Sequence, residues 1–381
     1  MNSKLLKGNT IQLIKGKEKI AEVIFTSAII LELIVMMTDH LASWTIPYRG
    51  RVTHVAFILF CIKILMTKYE WNQIIMILLT GMLGVASYFT CKDEYVIRAV
   101  VFLAATVGVE TDRNIRIIFW GTLIGMLLII ALAVLGVCGT VVDVRDYGRG
   151  LIEARYCLGF NHANNVHCLL WYIVALLVLF KYDCLKVWHL ICLFVLNIGV
   201  YFLTISRTGV MATAIVIIMA IVIKVCEKPV VKRLYMITAF MALVSCIIIS
   251  LRAATVVPFY DRYQMTLNRL LTQRLEMVWE HMPMSTWVIF PGPRTSEYVD
   301  NGFVSLTYIY GTVVGILFCV LIVYSIYESY KKDMMYVMIV LISSIFVVFM
   351  ESTCMINISI LCNMILILGM VINGKIDKKN R

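Results

Sequence analysis

Four polar stretches, each next to a strongly apolar segment, carry the residues whose types and spacing could do chemistry. The planar guanidinium of arginine offers five donors in a fork that suits phosphate oxygens. A carboxylate nearby can take a proton from an attacking hydroxyl. We therefore predict a site with three catalytic residues and five substrate-binding residues. The catalytic set is Arg207, Arg274 and Asp300, and the substrate-binding set is Arg155, His162, Asn164, Arg269 and Asn301.

The first two stretches are polar connections that lead into apolar segments. Residues 145–164 hold three arginines and end in a run rich in Asn and His. They are either an ordinary polar loop or a loop that places Arg155 and His162 at the mouth of a cavity facing a phosphate or a sugar. Residues 204–209 form a connection so short that Arg207 must lie near the membrane surface. Arg207 either extends its charge into water or binds phosphate.

The third stretch has helical periodicity from residue 263 to residue 280. Leu267, Leu271 and Val278 fall on one stripe, which predicts an amphipathic helix on the membrane surface. Arg274 lies on the same apolar stripe, whereas Arg269 lies on the opposite side. A guanidinium on the buried face is costly unless it is paired, which favours a ligand-binding role for Arg274.

The fourth stretch, Asp300 and Asn301, opens a late apolar segment. These residues either cap a helix N-terminus or place a carboxylate at the mouth of the site. The two interpretations are compatible.

The chain that must position these residues is an integral membrane protein. Of its 381 residues 61% are hydrophobic and 15% are charged, whereas soluble domains carry about 25% charged residues. We predict an all-α, polytopic fold with one membrane domain, 1–381, and long external loops at 138–165 and 251–301. About twelve spans are predicted, at 20–37, 53–66, 73–89, 95–109, 116–137, 166–180, 187–204, 208–223, 234–250, 302–325, 334–350 and 356–373.

Lysine and arginine divide between the two sides of this predicted topology. With the N-terminus inside, the internal segments hold sixteen Lys and four Arg, and the external segments hold one Lys and eleven Arg. Basic residues in short loops favour the cytoplasmic side, so both termini are predicted to be cytoplasmic. The arginines on the other side are typical of a protein that binds phosphate or pyrophosphate outside the cell.

Glu32 falls in the middle of a predicted span, and Lys63 and Arg98 fall in neighbouring spans. A charge at this depth is expensive unless it is paired. We therefore predict a structural Glu–Lys or Glu–Arg pair, and a proton or ion relay is the alternative.

Taken in order, the four stretches resemble the superfamily of O-antigen ligases and Wzy-type polysaccharide polymerases. The resemblance covers about residues 150–325, whereas the first half of the chain matches only in hydropathy. It is carried by Arg155 with Gly159-Phe160-Asn161-His162-Ala163-Asn164, by Thr204-Ile205-Ser206-Arg207-Thr208-Gly209, by Leu267 with Leu271-Thr272-Gln273-Arg274, and by Asp300-Asn301-Gly302-Phe303 before Tyr310-Gly311.

The resemblance implies a metal-independent glycosyltransferase at the outer face of a bacterial cell membrane. Such enzymes use polyprenyl-pyrophosphate-linked sugars, and no cofactor is expected. It implies that Arg155, Arg207 and Arg274 bind the pyrophosphate and that Asp300 is the base. Ala163 replaces the usual Pro, and Thr272-Gln273-Arg274 replaces a Ser-Gly-Arg motif. Asp rather than His at position 300 favours a polymerase.

The predicted function is therefore polymerisation of oligosaccharide repeat units into a capsule, exopolysaccharide or O-antigen. The expected partners are the lipid-linked oligosaccharide, membrane lipid and a chain-length regulator, and no nucleic acid. One alternative is a ligase-like enzyme that transfers a finished glycan to another acceptor. Another, from a different class, is a flippase for the same lipid-linked sugar, which would concentrate its charges in a central cavity and keep its loops short.

Overall fold

The computed structural model describes residues 2–41, 48–146, 152–226, 228–257, 260–292, 299–352 and 357–375. These residues form fifteen α-helices and one β-hairpin. The helices are α1 Asn2–Asp39, α2 Arg49–Met66, α3 Trp71–Cys91, α4 Tyr95–Ala105, α5 Thr111–Val134, α6 Ala163–Lys181, α7 Val187–Thr204, α8 Arg207–Val225, α9 Pro229–Thr255, α10 Arg262–Leu270, α11 Arg274–His281, α12 Gly302–Tyr310, α13 Thr312–Lys331, α14 Met335–Met350 and α15 Met364–Asn373.

Eight of these helices are long and apolar enough to cross a membrane, judged by length and composition. They are α1 (from Gly16), α3, α5, α6, α7, α8, α9 and α13. The prediction of an all-α, multi-pass membrane protein is therefore confirmed. The predicted spans 95–109, 334–350 and 356–373 correspond to the shorter helices α4, α14 and α15.

Burial of the helices separates a central group from a peripheral one. In the most apolar window of α6, 78% of the residues are buried, against 17% for both α3 and α7. Every residue of α14 except Phe346 is buried. Apolar residues that stay exposed on a membrane helix face lipid, so α3 and α7 form part of the outer layer and α6 and α14 form the centre.

The predicted span 302–325 is two helices rather than one, which corrects that prediction. Gly311 separates α12 from α13 with a backbone φ of 91°. A Cβ atom at this position would lie 2.7 Å from the carbonyl carbon of Phe290. The chain turns here because glycine alone accepts both the positive φ and the close approach of another backbone.

The predicted amphipathic helix at 263–280 is also two helices, and the apolar stripe is interrupted. Thr272 and Gln273 have positive φ values of 59° and 63°, so the chain changes direction between α10 and α11. Leu275 and Val278 of α11 are fully buried against α9 and the start of α12. The long loop therefore packs over the helix ends through its own small core.

The loop at 138–165 contains an antiparallel hairpin that was not predicted from the sequence. Strand β1, Val142–Asp146, pairs with strand β2, Ile152–Tyr156, and Asp143 lies opposite Arg155 in the register. Residues 147–151, which include Tyr147, Gly148 and Arg149 of the first polar stretch, lie outside the described residues.

The predicted ion pair between neighbouring helices is confirmed as Glu32 with Arg98. Nη2 of Arg98 lies 2.6 Å from Oε1 of Glu32, and both side chains are buried. Glu32 also accepts hydrogen bonds from Ser359 Oγ and from the backbone N–H of Ile360, each at 3.0 Å. Lys63 instead donates to the backbone carbonyl of Val107. The charges of Glu32 and Arg98 thus compensate each other, as the structural interpretation requires, and the ammonium group of Lys63 has a hydrogen-bond acceptor.

Candidate functional site

Glu351, directly after the end of α14, is the centre of a polar cluster. Its Oε1 atom lies 2.9 Å from Nη2 of Arg274 and 3.5 Å from Nδ2 of Asn164. The hydroxyl of Thr208 lies next to the same carboxylate and lowers its pKa. The central helix α14 therefore ends in a carboxylate that three other segments contact. We call Arg274, Asp300 and Glu351, with Thr208 and Asn164, the Arg274 cluster.

Four helices begin at this cluster. Helix α6 starts next to Asn164, α8 starts next to Thr208, α11 starts at Arg274 and α12 starts just after Asp300. The first N–H groups of a helix have no partner inside the helix, and its N-terminal end carries a partial positive charge. Helix N-termini that converge at one point therefore favour negative charge there. This charge can belong to Asp300 and Glu351 or to a bound anion.

Arg274 links the two carboxylates of the cluster. Its Nη2 atom lies 2.9 Å from Glu351 and 3.6 Å from Oδ2 of Asp300, and 13% of its side chain is exposed. Its Nε atom is buried and has no hydrogen-bond partner among the described residues. A buried donor left unpaired is costly, so this N–H is a point at which a ligand oxygen would stabilise the site.

The two carboxylates of the cluster hold their protons more tightly than usual. Burial raises the pKa of Asp300, and the charge of Arg274 opposes this shift. Burial and the neighbouring Asp300 raise the pKa of Glu351 to about 7, against the effects of Arg274 and Thr208. A carboxyl with this pKa exchanges its proton near neutral pH, which is what a general acid–base group needs.

Arg207 is the first residue of α8 and is exposed. It makes no hydrogen bond or ion pair within the described part of the chain, so its guanidinium faces solvent beside Thr208. Hydrogen bonds from the neighbouring helix α6 hold the turn that precedes Arg207. His167 of α6 bonds through Nδ1 to Thr204 Oγ1 at 3.0 Å and through Nε2 to Asn197 Oδ1 at 2.8 Å.

Arg155 and His162 lie on the hairpin side of the cluster. Arg155 is buried and pairs with Glu153, with Nη2 to Oε2 at 2.5 Å. His162 caps α6, and its Nδ1 atom accepts a hydrogen bond from the backbone N–H of Asn164 at 3.1 Å. Burial, followed by the charges of Arg145 and Arg155, lowers the pKa of His162 to about 4. With this pKa, His162 is neutral at pH 7, and it links the electrostatic field of the hairpin arginines to the start of α6.

The other two predicted residues occupy different surroundings. Asn301 is buried and caps α12, because its Oδ1 atom accepts the backbone N–H of Val304 at 3.1 Å, and it also bonds to Ser250. The capping interpretation therefore holds for Asn301. Arg269 is exposed at the end of α10, and within the described residues no hydrogen bond or ion pair joins it to the Arg274 cluster.

Sequence reasoning missed Glu351, although the sequence contains a signal for it. An acidic residue that follows an apolar run, here Met350-Glu351-Ser352, stands at a membrane boundary. Intramembrane and boundary charges are functional candidates by default. Its partners Arg274 and Thr208 are distant in sequence, so the signal gave no indication of the cluster.

Comparisons with protein-family models, with curated proteins and with solved structures found no match to this chain. The geometry of the Arg274 cluster and the chemistry of its side chains are therefore the evidence for a function.

Proposed function

We propose that this chain is a membrane glycosyltransferase that joins polyprenyl-pyrophosphate-linked oligosaccharide repeat units into a surface polysaccharide. The observation that carries the proposal is Arg274, a mostly buried side chain held between Asp300 and Glu351, whose Nε atom has no hydrogen-bond partner among the described residues. A fixed guanidinium with an open donor, next to carboxylates of raised pKa, is what transfer from a phosphate leaving group requires.

Arg274 and Arg207 would bind the pyrophosphate. The Nε–H of Arg274 would donate to one phosphate oxygen, and the exposed Arg207 would approach another from the start of α8. The converging helix N-termini add favourable partial charges. Removing one fixed donor from such a site typically costs about 10²–10³ in rate, by analogy with an oxyanion hole.

Asp300 and Glu351 are the two candidates for the base. The carboxylate takes the proton of the acceptor hydroxyl while the hydroxyl oxygen forms a bond to the anomeric carbon of the donor. The bond between that carbon and the pyrophosphate oxygen breaks, and its electron pair leaves with the pyrophosphate. Negative charge then develops on oxygens that face Arg274. Asn164 and His162 would contact the sugar from the start of α6.

The orientation of the protein is part of the proposal. With both termini in the cytoplasm and about twelve membrane crossings, the shorter helices included, the Arg274 cluster faces the outside of a bacterial cell membrane. The lysine bias of the opposite loops supports this orientation. The substrates would then be lipid-linked units in the outer leaflet, and a chain-length regulator is the expected protein partner.

A ligase-like transferase would use the same cluster, with a different acceptor. The flippase alternative is less well supported, because the long loop folds into a packed unit, α10 and α11, that contributes Arg274 to one end of the bundle. A flippase is expected to place its charges near the membrane midplane.

The test replaces Arg274, Asp300 and Glu351 one at a time with Ala in a strain that lacks the native gene. Polymer length is read on a gel, and the amount of each protein in the membrane is measured. We expect polymer to disappear while single repeat units accumulate on the outer face. Arg262→Ala is the matched control, because Arg262 is an exposed arginine of the same loop.

Three other outcomes distinguish the alternatives. Full-length polymer that stays on its lipid carrier would indicate a ligase. Repeat units that accumulate on the cytoplasmic side would indicate a flippase. Normal polymer in all three variants would show that the Arg274 cluster is not the active site.

A further inference from the structure

A cavity lies at the opposite end of the helix bundle from the Arg274 cluster. Its volume is about 890 Å³. Helix α8 begins at the Arg274 cluster and ends at the cavity, and α14 runs back from the cavity to Glu351. Since α8 has 19 residues, the two sites are separated by about 28 Å at a rise of about 1.5 Å per residue. This is close to the thickness of the hydrocarbon core, about 30 Å, so the cavity lies at the other membrane face.

Four lysines line this cavity. They are Lys224, Lys228, Lys232 and Lys332, and the acidic lining residues are Asp183 and Asp333. Lys232 pairs with Asp333 at 2.6 Å, and Lys332 pairs with Glu328 at 3.2 Å.

Lys224 and Lys228 have no carboxylate partner among the described residues. Nζ of Lys224 lies 4.4 Å from the centre of the Tyr182 ring, which also lines the cavity. This contact holds one ammonium group at the cavity wall. The lining therefore keeps an excess of positive charge after its internal ion pairs are formed.

Two helices also begin at this cavity. Helix α9 follows Lys228, and α14 follows Met334. Neither of these N-cap residues makes a side-chain capping bond, and neither helix has an acidic residue in its first turn. The free N–H groups and the partial positive charge at both helix starts add to the field of the lysines.

We propose that this cavity binds a phosphate group, supplied either by the headgroup of an anionic phospholipid or by a soluble phosphate compound. A cavity of this size accepts a headgroup or a small ligand, and basic pockets between membrane helices are suited to anionic headgroups. Lys224 and Lys228 are the ligands that the internal ion pairs leave available. The site is independent of the proposed transferase activity, because it lies at the other end of the bundle.

The experiment uses the full-length protein in nanodiscs of phosphatidylcholine, with or without phosphatidylglycerol. Retained lipid is counted by native mass spectrometry, and thermal unfolding is followed in parallel. We expect the wild type to retain phosphatidylglycerol and to unfold several degrees higher when it is present. The double variant Lys224→Gln/Lys228→Gln should retain at least fivefold less phosphatidylglycerol than the wild type.

Two matched variants separate binding from folding. Lys224→Arg/Lys228→Arg keeps both charges and should retain phosphatidylglycerol. Lys68→Gln removes an exposed lysine outside the cavity lining and should behave as wild type. Addition of inorganic phosphate identifies the source of the ligand. If phosphate alone raises the unfolding temperature and displaces the lipid, the ligand is a soluble phosphate compound.

The proposal is overturned if the folded Gln double variant retains as much phosphatidylglycerol as the wild type. It is also overturned if the wild type responds neither to phosphatidylglycerol nor to inorganic phosphate.

Discussion

Nη2 of Arg274 lies 2.9 Å from Oε1 of Glu351, and this contact joins residues that are 77 positions apart. It fixes the start of α11, in the long loop, to the end of the central helix α14. The same guanidinium reaches Asp300 at 3.6 Å. One arginine therefore contacts two carboxylates, and any anion that binds at this point would lie next to both.

Arg274→Lys tests whether the fork geometry matters, because it keeps the charge and removes the planar set of donors. We expect polymer formation to fall about 10²-fold, since a lysine ammonium cannot supply both the contact to Glu351 and the free Nε–H donor. The measurement is the initial rate of polymer formation in membranes with a lipid-linked substrate.

Arg262→Lys, in the same loop, should leave this rate unchanged and serves as the control. A rate for Arg274→Lys within threefold of the wild type would show that charge alone is sufficient at this position.

Glu351→Gln tests the proton acceptor. The pKa of Glu351 is about 7 because the group is buried and lies near Asp300. The ionised, base form therefore increases as pH rises through this value. We expect the wild-type rate to rise about tenfold per pH unit below pH 7 and to level off above about pH 8. Glu351→Gln should lower the rate about 10²–10⁴-fold and abolish this dependence.

Glu280→Gln, an exposed carboxylate at the end of α11, is the control for this series and should keep the wild-type pH profile. If Asp300→Asn abolishes the pH dependence and Glu351→Gln keeps it, the base is Asp300, as the sequence predicts. A flat wild-type profile between pH 5.5 and pH 8.5 would contradict both assignments.

The features that could be predicted from the sequence are those set by the free-energy cost of placing a single residue or segment in the membrane. Long apolar runs predicted the membrane helices, because backbone groups in lipid must bond within a segment. The expense of buried charge predicted a partner for Glu32, and the structure identifies it as Arg98. The same reasoning singled out Arg274 as a charge that needs compensation, and it lies beside two carboxylates.

The features that the sequence did not predict depend on contacts between distant segments. Gly311 interrupts an apolar run in which hydropathy continues without a break, and its conformation is required by the backbone of Phe290. Glu351 was missed because its partners come from three other segments. Arg274 was placed on a continuous apolar stripe, although the helix actually starts at that residue.

His162→Asn tests the coupling between the hairpin and α6. Burial and the nearby arginines lower the pKa of His162 from 6.5 to about 4 in the folded protein. Between these values the unfolded chain binds a proton that the folded chain does not, so stability decreases as pH falls from about 6.5 to about 4. Asn keeps a capping side chain and removes this titration. Between pH 7 and pH 5, we expect the free energy of unfolding to fall by about 1–2 kcal/mol more in the wild type than in the variant.

Thermal unfolding in detergent at the two pH values measures this difference. His281→Asn, at the exposed end of α11, is the control and should respond to pH as the wild type does. Equal losses for His162→Asn and the wild type would show that His162 does not titrate in this range.

Arg98→Met tests the buried pair between α1 and α4. The change leaves the Glu32 carboxylate, which is 1% exposed, without its guanidinium. Removing one partner of a buried ion pair typically costs about 3–5 kcal/mol, because the remaining charge stays desolvated. Glu32→Met/Arg98→Met removes both charges and should be less destabilising than Arg98→Met alone. Arg113→Met, at an exposed position of α5, is the control. If the double variant is as unstable as Arg98→Met, apolar packing around these residues rather than the charge pair determines the stability of this region.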